Sequence, residues 1–301
     1  MAGYILSTCS TVDLPKQYLD RRNIKYLCFR FSMGKREYID DFGYSMSHKE
    51  FYNRIRDGAM PTTAQIDADE YADYFRSLLD RGADVLHLAF SSGLSKSADN
   101  ARIACRKVSE EYPGQKLYVA DTLCASSGFG LLLDAVYEKK QVGLDITALY
   151  NWVGKNKLRV NHWIRVDDLS HLSRGGRISG TSAAIGNMLQ IKPIIDINFE
   201  GKLIPRGQAT GGKKSLDMLV DKMIEHAENG LDYSSKVFVC HSSNMNDASY
   251  VAEMIEAKFP KLRSRVMINK VGPVIGAHTG VGTVALFFFG DRRVDGADGY
   301  R

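Results

Sequence analysis

Four hydroxyls fall within seven residues in Ser91-Ser92-Gly93-Leu94-Ser95-Lys96-Ser97. The segment lies between an apolar, strand-like run and a helical one. At such a junction backbone N–H groups and the positive end of the helix dipole point outward, and a carboxylate or phosphate is well received. The same serines also fit an N-cap cluster that merely starts the helix. Pro61-Thr62-Thr63-Ala64-Gln65 precedes a second helical run. Pro61 stiffens the approach and the threonines can cap. Alone this is an ordinary capped loop; facing the serine loop it would add hydroxyls to an anion site.

Between Gly272 and Gly282 four glycines surround His278, which suggests that backbone comes close to something there. His278 could donate to an anion or orient a hydroxyl, or be a satisfied polar group. Ser173-Arg174-Gly175-Gly176-Arg177-Ile178-Ser179-Gly180 sets two arginines about a glycine pair. Arginine suits bidentate contact with carboxylate or phosphate, although a solvated basic turn reads the same way. Two segments nearly match enzyme motifs. Gly207 to Lys214 approaches a phosphate loop, but Lys214 stands where a Mg²⁺-binding hydroxyl is needed. Gly93-Leu94-Ser95-Lys96-Ser97 approaches a nucleophile elbow, with Ser97 for the last glycine. Ser95, Asp121 or Asp168, and His278 follow in the order of a serine hydrolase, which makes an esterase the alternative reading.

The elements that must position these residues alternate in the first half. Tyr4–Leu6, Tyr26–Phe29, Asp84–Phe90 and Lys116–Ala120 read as strands. Asp67–Arg81, Lys96–Glu111 and Gly128–Lys139 read as helices, the first with Tyr71, Tyr74, Phe75, Leu78 and Leu79 on one face. Alternation of this kind predicts a parallel sheet covered on both faces. After about Asn156 the texture changes. Asn161–Val166, Pro193–Ile197, Leu203–Pro205, Lys236–His241 and Val266–Val271 read as strands, with a hairpin turn over Asn198–Lys202 and helices over Ser215–Asn229 and Asp247–Phe259. The expected architecture is an N-terminal α/β domain over residues 1–157, a second α/β domain with a mixed or antiparallel sheet over 158–290, and a flexible tail over 291–301.

Composition limits the class. Apolar residues at 44% and charged residues at 25% are ordinary for a globular chain, so disorder is not expected. A net charge of +5 from 40 basic and 35 acidic residues is too balanced for a dedicated nucleic-acid binder, yet draws anions. The five cysteines, odd in number and without a CxxC, argue against a disulfide framework or structural zinc site. The opening residues lack a basic n-region, and the longest apolar run, Val284–Phe289, is too short to cross a bilayer. The cytoplasm, without stable membrane insertion, is the expected setting.

Taken together, the segments resemble the DegV family from about Tyr4 to Phe289. Ser10-Thr11-Val12-Asp13-Leu14, Pro61 to Gln65, Ser91 to Ser95, Arg174 to Ser179, Ile191-Lys192-Pro193-Ile194 and His278-Thr279-Gly280 occur in that family's order and spacing. The resemblance implies two α/β domains with a long-chain fatty acid between them. It also implies a carrier that binds no metal or cofactor and is not itself an enzyme. Such carriers include the binding subunits of bacterial fatty acid kinase, which present the acyl carboxylate to a separate kinase subunit supplying ATP and Mg²⁺. Carried over, Thr62 and Thr63 face Ser92 and Ser95 across the carboxylate, His278 completes the network, and Arg177 and Arg174 meet the partner. Two positions depart from the family: Cys9 replaces an acid, and Thr210 stands where kinase-linked members carry an arginine.

Overall fold

The computed structural model describes residues 3–178 and 190–293. The chain enters through β1 (Tyr4–Cys9), α1 (Lys16–Arg21) and β2 (Lys25–Leu27), then forms β3 (Arg30–Met33), β4 (Arg36–Ile39), α2 (His48–Arg56) and β5 (Thr62–Ala64). It continues through α3 (Ala68–Leu79), β6 (Asp84–Ala89), α4 (Ser97–Glu111), β7 (Leu117–Asp121), α5 (Ser126–Gln141) and α6 (Ile146–Asn156). Strands β2-β1-β6-β7 make a four-stranded sheet in which every pairing is parallel. Its central strand β6 is buried along nearly its whole length, which is why it reads as a continuous apolar run. The α3 helix starts where the Asp67 carboxylate accepts from the Glu70 N–H at 2.8 Å, and it buries Tyr71, Phe75, Leu78 and Leu79 on one stripe.

The second half runs β8 (Val160–Arg165), α7 (Ser170–Arg174), β9 (Ile191–Ile197), β10 (Leu203–Thr210), α8 (Gly212–His226), β11 (Phe238–His241), α9 (Met245–Lys258), β12 (Met267–Lys270), α10 (Pro273–Thr279) and β13 (Val284–Phe289). Its six strands are ordered β10-β9-β8-β13-β11-β12, antiparallel except for the β11–β12 pair. The fold is therefore α/β, with a parallel first sheet and a mixed second one. The apolar run Val284–Phe289 is a central strand of that second sheet, with helices on both sides. The α5 helix packs against β8, β11 and β13 on one face, and α8 and α9 cover the other. One apolar core runs from Leu6 and Leu86 through Phe129 to Ile164 and Phe287, joining the two sheets.

Three segments differ from the sequence expectations. The Tyr26–Phe29 strand ends at Leu27, and the chain turns there into a separate three-stranded antiparallel sheet, β4-β3-β5. Residues 61–65 are not a capped loop, because Thr62–Ala64 pair with β3 as β5. The tail assigned to 291–301 is held at its start: Arg293 is buried, and its guanidinium donates to Leu123 O at 2.9 Å, Asn198 O at 3.2 Å and Lys157 O at 3.0 Å. Ser179 and Gly180 of the arginine turn and residues 294–301 lie outside the described residues. No helix among the described residues is long and apolar enough to cross a membrane.

Candidate functional site

A cavity of about 630 Å³ lies between the two sheets. Every second residue of β8 and β13 supplies its wall, through His162 and Ile164 and through Ala285 and Phe287, as strand alternation requires. Phe29, Phe90, Val274 and Ile275 extend the apolar lining. His162 adds no charge to it. Its Nε2 accepts from the Ala125 N–H at 3.2 Å and its Nδ1 donates to Val160 O at 3.0 Å, which fixes one neutral tautomer. Burial first, then Arg293, holds its pKa well below the usual histidine range.

Polar groups converge on another part of this cavity. Thr63, Ser92, Ser95, Arg177 and His278 all line it, so five of the seven residues singled out from the sequence come together. Thr63 Oγ1 and His278 Nε2 are hydrogen-bonded at 2.9 Å across 215 residues of chain. The other imidazole nitrogen, Nδ1, is buried without a hydrogen-bond partner. Gly175 lies against that nitrogen with no room for a side chain. Burial, followed by the charges of Arg177 and Arg174, lowers the His278 pKa to about 4, so the ring is neutral at pH 7. Thr279, beside it, also lines the cavity with its Oγ1 buried and unpartnered.

The remaining expected residues behave differently. Thr62 is exposed and points away from Thr63 along β5, so it does not line the cavity. Ser92 lines it, but its hydroxyl donates to Asp121 Oδ2 at 2.6 Å and its N–H to Oδ1 at 3.2 Å. Ser95 accepts from the Ser97 N–H and donates to Ser97 Oγ, both at 3.2 Å, so its hydroxyl serves the first turn of α4. Arg177 is not in a solvated turn. It is half-buried, its Nε donates to Leu94 O at 3.2 Å, and its Nη1 donates to Gly175 O. Arg174 is exposed and lies 2.8 Å from His171 Nδ1.

The hydrolase arrangement is not assembled. His278 bonds Thr63 rather than Ser95. Asp121 is engaged by Ser92, Leu123 and Arg102, and Asp168 accepts from Ser170. Ser95 lacks the positive φ of a strained elbow, whereas seven other non-glycine residues among those described have one. The first half of Gly207 to Lys214 is itself strand β10, paired antiparallel with β9 through Thr210, which is not the parallel strand–loop–helix of a phosphate loop. Among the described residues no cluster of three or more His, Cys, Asp or Glu side chains could hold a metal. Thr210 is exposed at the end of β10. Cys9 is fully buried, with its Sγ 3.2 Å from Thr11 Oγ1, and burial raises its thiol pKa to about 11.

Sequence reading missed the clasp that joins the two halves around the cavity. Ser91 Oγ donates to Gly201 O at 2.8 Å, docking the β9–β10 hairpin onto the serine loop. A side chain on Gly93 would meet Glu200 O at 2.5 Å, so the two backbones touch. Beside this junction Arg293 bonds the hairpin at Asn198 O and the β7–α5 loop at Leu123 O. The hairpin turn itself was legible in Asn198–Lys202; its docking was not, because no local pattern encodes it.

The chain resembles known proteins over nearly its whole length. A DegV domain-containing protein of Clostridium perfringens is 39% identical over 293 residues, covering 97% of this chain and 99% of that one. A protein of the same type from Lactococcus lactis is 31% identical over 94% of this chain and 96% of that one. The solved structure of a fatty-acid-binding DegV protein from Thermus thermophilus superposes with a TM-score of 0.83 at 25% identity, covering 96% and 100% of the two chains. A stearic-acid-binding protein from Eubacterium ventriosum gives 0.83 at 25% identity, covering 94% and 97%. The family model for DegV, described as a family of uncharacterised proteins, matches residues 6–291. With the ordered motifs, the paired sheets and a match of that extent in agreement, this chain belongs to the DegV family.

Proposed function

We propose that this protein binds a long-chain fatty acid in the cavity between its sheets and carries it rather than transforming it. The observation that carries this reading is a largely apolar cavity into which Thr63, hydrogen-bonded to His278, and Thr279 bring polar groups. The fatty-acid complexes of the Thermus and Eubacterium relatives support it. Each buried methylene contributes about 0.8 kcal/mol, so a sixteen-carbon tail gains on the order of 10 kcal/mol, and the tail dominates affinity. The head end sets orientation. Thr63 and Thr279 offer hydroxyl donors, and Ser95 turns its hydroxyl from Ser97 to the carboxylate. Arg177 supplies positive charge at the cavity wall. Ser92 positions the loop through Asp121.

In this reading the carboxylate is presented to a separate ATP-dependent kinase subunit and leaves as acyl phosphate, with exposed Arg174 meeting the partner. The five free cysteines suit work in the cytoplasm. Organic extraction of the purified protein is expected to release long-chain fatty acid at close to one per chain. A protein that is empty and also fails to take up added palmitate would overturn the carrier reading. Labelling of Ser95 by a fluorophosphonate, with ester turnover, would overturn it in favour of a hydrolase.

A further inference from the structure

A second cavity, of about 400 Å³, lies on the far side of the Asp13–Ser126 hydrogen bond from the first. Asp13, Asp40, His48 and Asn269 line it, with Phe42 and Tyr44 from one loop. Asp13 and Asp40 are 4% and 2% exposed, and both carboxylates stand against Gly272. A side-chain carbon there would lie 2.8 Å from Asp13 Oδ1 and 3.3 Å from both Asp40 oxygens, so only glycine leaves that space open. Asp13 accepts from the Gly272 N–H at 2.9 Å and from the Ser126 hydroxyl, and Asp40 accepts from the Val274 N–H at 3.2 Å. Lys16 and Lys270 also line the cavity; Lys16 pairs with Asp20 at 2.6 Å, and among the described residues neither lysine forms an ion pair with Asp13 or Asp40. Burial raises the pKa of both carboxyl groups, Asp40 to about 7, and each oxygen here keeps a lone pair to spare.

Asn269 is the independent sign of a ligand. It is 3% exposed, and both its amide oxygen and its amide nitrogen lack a partner. It is in register with Cys240 across the parallel β11–β12 pair, on the face that Ser126 and Asp13 approach. A buried amide with its donor and acceptor both open is built to read something polar. The Phe42 loop is also strained, with a bulky aromatic at φ 65, and Tyr44 stands 72% exposed at the rim.

We propose that this second cavity binds a small organic cation, its ammonium or guanidinium group held by Asp13 and Asp40 and an adjoining polar group read by the Asn269 amide. Its volume lies in the range of small-molecule sites and far exceeds one ion. The aromatic rings on the loop suit a cation's approach. The site is separate from lipid binding and does not rest on it.

The test is calorimetric titration of the full-length protein with agmatine and with putrescine, with Ca²⁺ and Mg²⁺ as separate arms. Lipid content is measured on each sample. Agmatine or putrescine is expected to bind once per chain and at least tenfold more weakly to Asp40→Asn, which keeps an acceptor for Val274. Asn269→Leu is expected to weaken binding with lipid content unchanged, and it serves alone if the first variant does not fold. In isotopically labelled wild type the Asn269 side-chain amide signals are expected to shift on addition of the amine. Absence of binding by both amines, equal affinity in Asn269→Leu, or binding of Ca²⁺ or Mg²⁺ in place of the amines would each overturn the proposal.

Discussion

Replacing Thr63 with valine isolates what the head-group contact contributes. Valine matches threonine in shape and suits a strand, so β5 should keep its pairing with β3 at Phe31. The hydroxyl that bonds His278 Nε2 is removed, and the ring's Nδ1 has no other partner. The fatty-acid carboxylate loses one buried donor and meets an imidazole that is no longer held. Loss of such a donor costs about 1–3 kcal/mol, or roughly 5- to 150-fold in affinity. A sixteen-carbon tail contributes on the order of 10 kcal/mol, so binding should weaken without being abolished. The assay is displacement of a fluorescent fatty acid by laurate and by palmitate, on wild type and Thr63→Val. The two ligands should lose affinity by the same factor, because the head group does not know the tail's length. A loss that grows with chain length would place Thr63 along the tail, and no loss for either would remove the carboxylate from this end of the cavity.

Arg174→Ala should leave lipid affinity unchanged and lower acyl-phosphate formation in a coupled assay with a cognate kinase subunit, whereas half-buried Arg177→Ala should lower both. His278, depressed to about 4, binds no proton in the folded protein where the unfolded chain does, so its stabilising contribution is complete above pH 6.5 and disappears as pH falls through about 4. Urea unfolding at pH 7 and pH 5 should show a loss on the order of 1–2 kcal/mol from this group, reduced in His278→Gln. Asp40, raised to about 7, acts in the opposite direction: its contribution is present below the usual carboxylate range and is lost as pH rises through about 7. Asp40→Asn should therefore be less sensitive than wild type between pH 5 and 8. Arg293→Ala strips a buried guanidinium from the carbonyls of Leu123, Asn198 and Lys157 and should destabilise by on the order of 3 kcal/mol in the same unfolding assay.

The parallel sheet was legible because its buried strands, above all β6, are unbroken apolar runs set between helical periods. The serine loop could be placed at a strand-to-helix junction for the same reason. β5 was not legible: Thr62-Thr63-Ala64 carries almost no apolar signal and is a strand only because β3 lies beside it. That hidden strand is also why Thr62 and Thr63 could not be told apart, since only a two-residue period turns one toward the cavity and the other away. The arginine turn read as solvated because glycines flank it, yet the Leu94 and Gly175 carbonyls fold Arg177 inward. Contacts between residues 83 positions apart leave no local trace. Ser95 shows a finer limit: expected to hold the carboxylate, its hydroxyl here lines the cavity while bonding Ser97.

The docked hairpin and Arg293 also bear on how fast cargo escapes. With Ser91 bonded to Gly201 and one guanidinium tying three backbone carbonyls across the junction, parting the two sheets would expose several buried polar groups at once. A bound chain then leaves most readily by sliding out along its own axis, one methylene after another meeting water. The dissociation rate constant should fall about fourfold for each carbon added, the kinetic equivalent of roughly 0.8 kcal/mol per methylene. Residence time would then be set by the cargo's own length, like a ruler read in seconds.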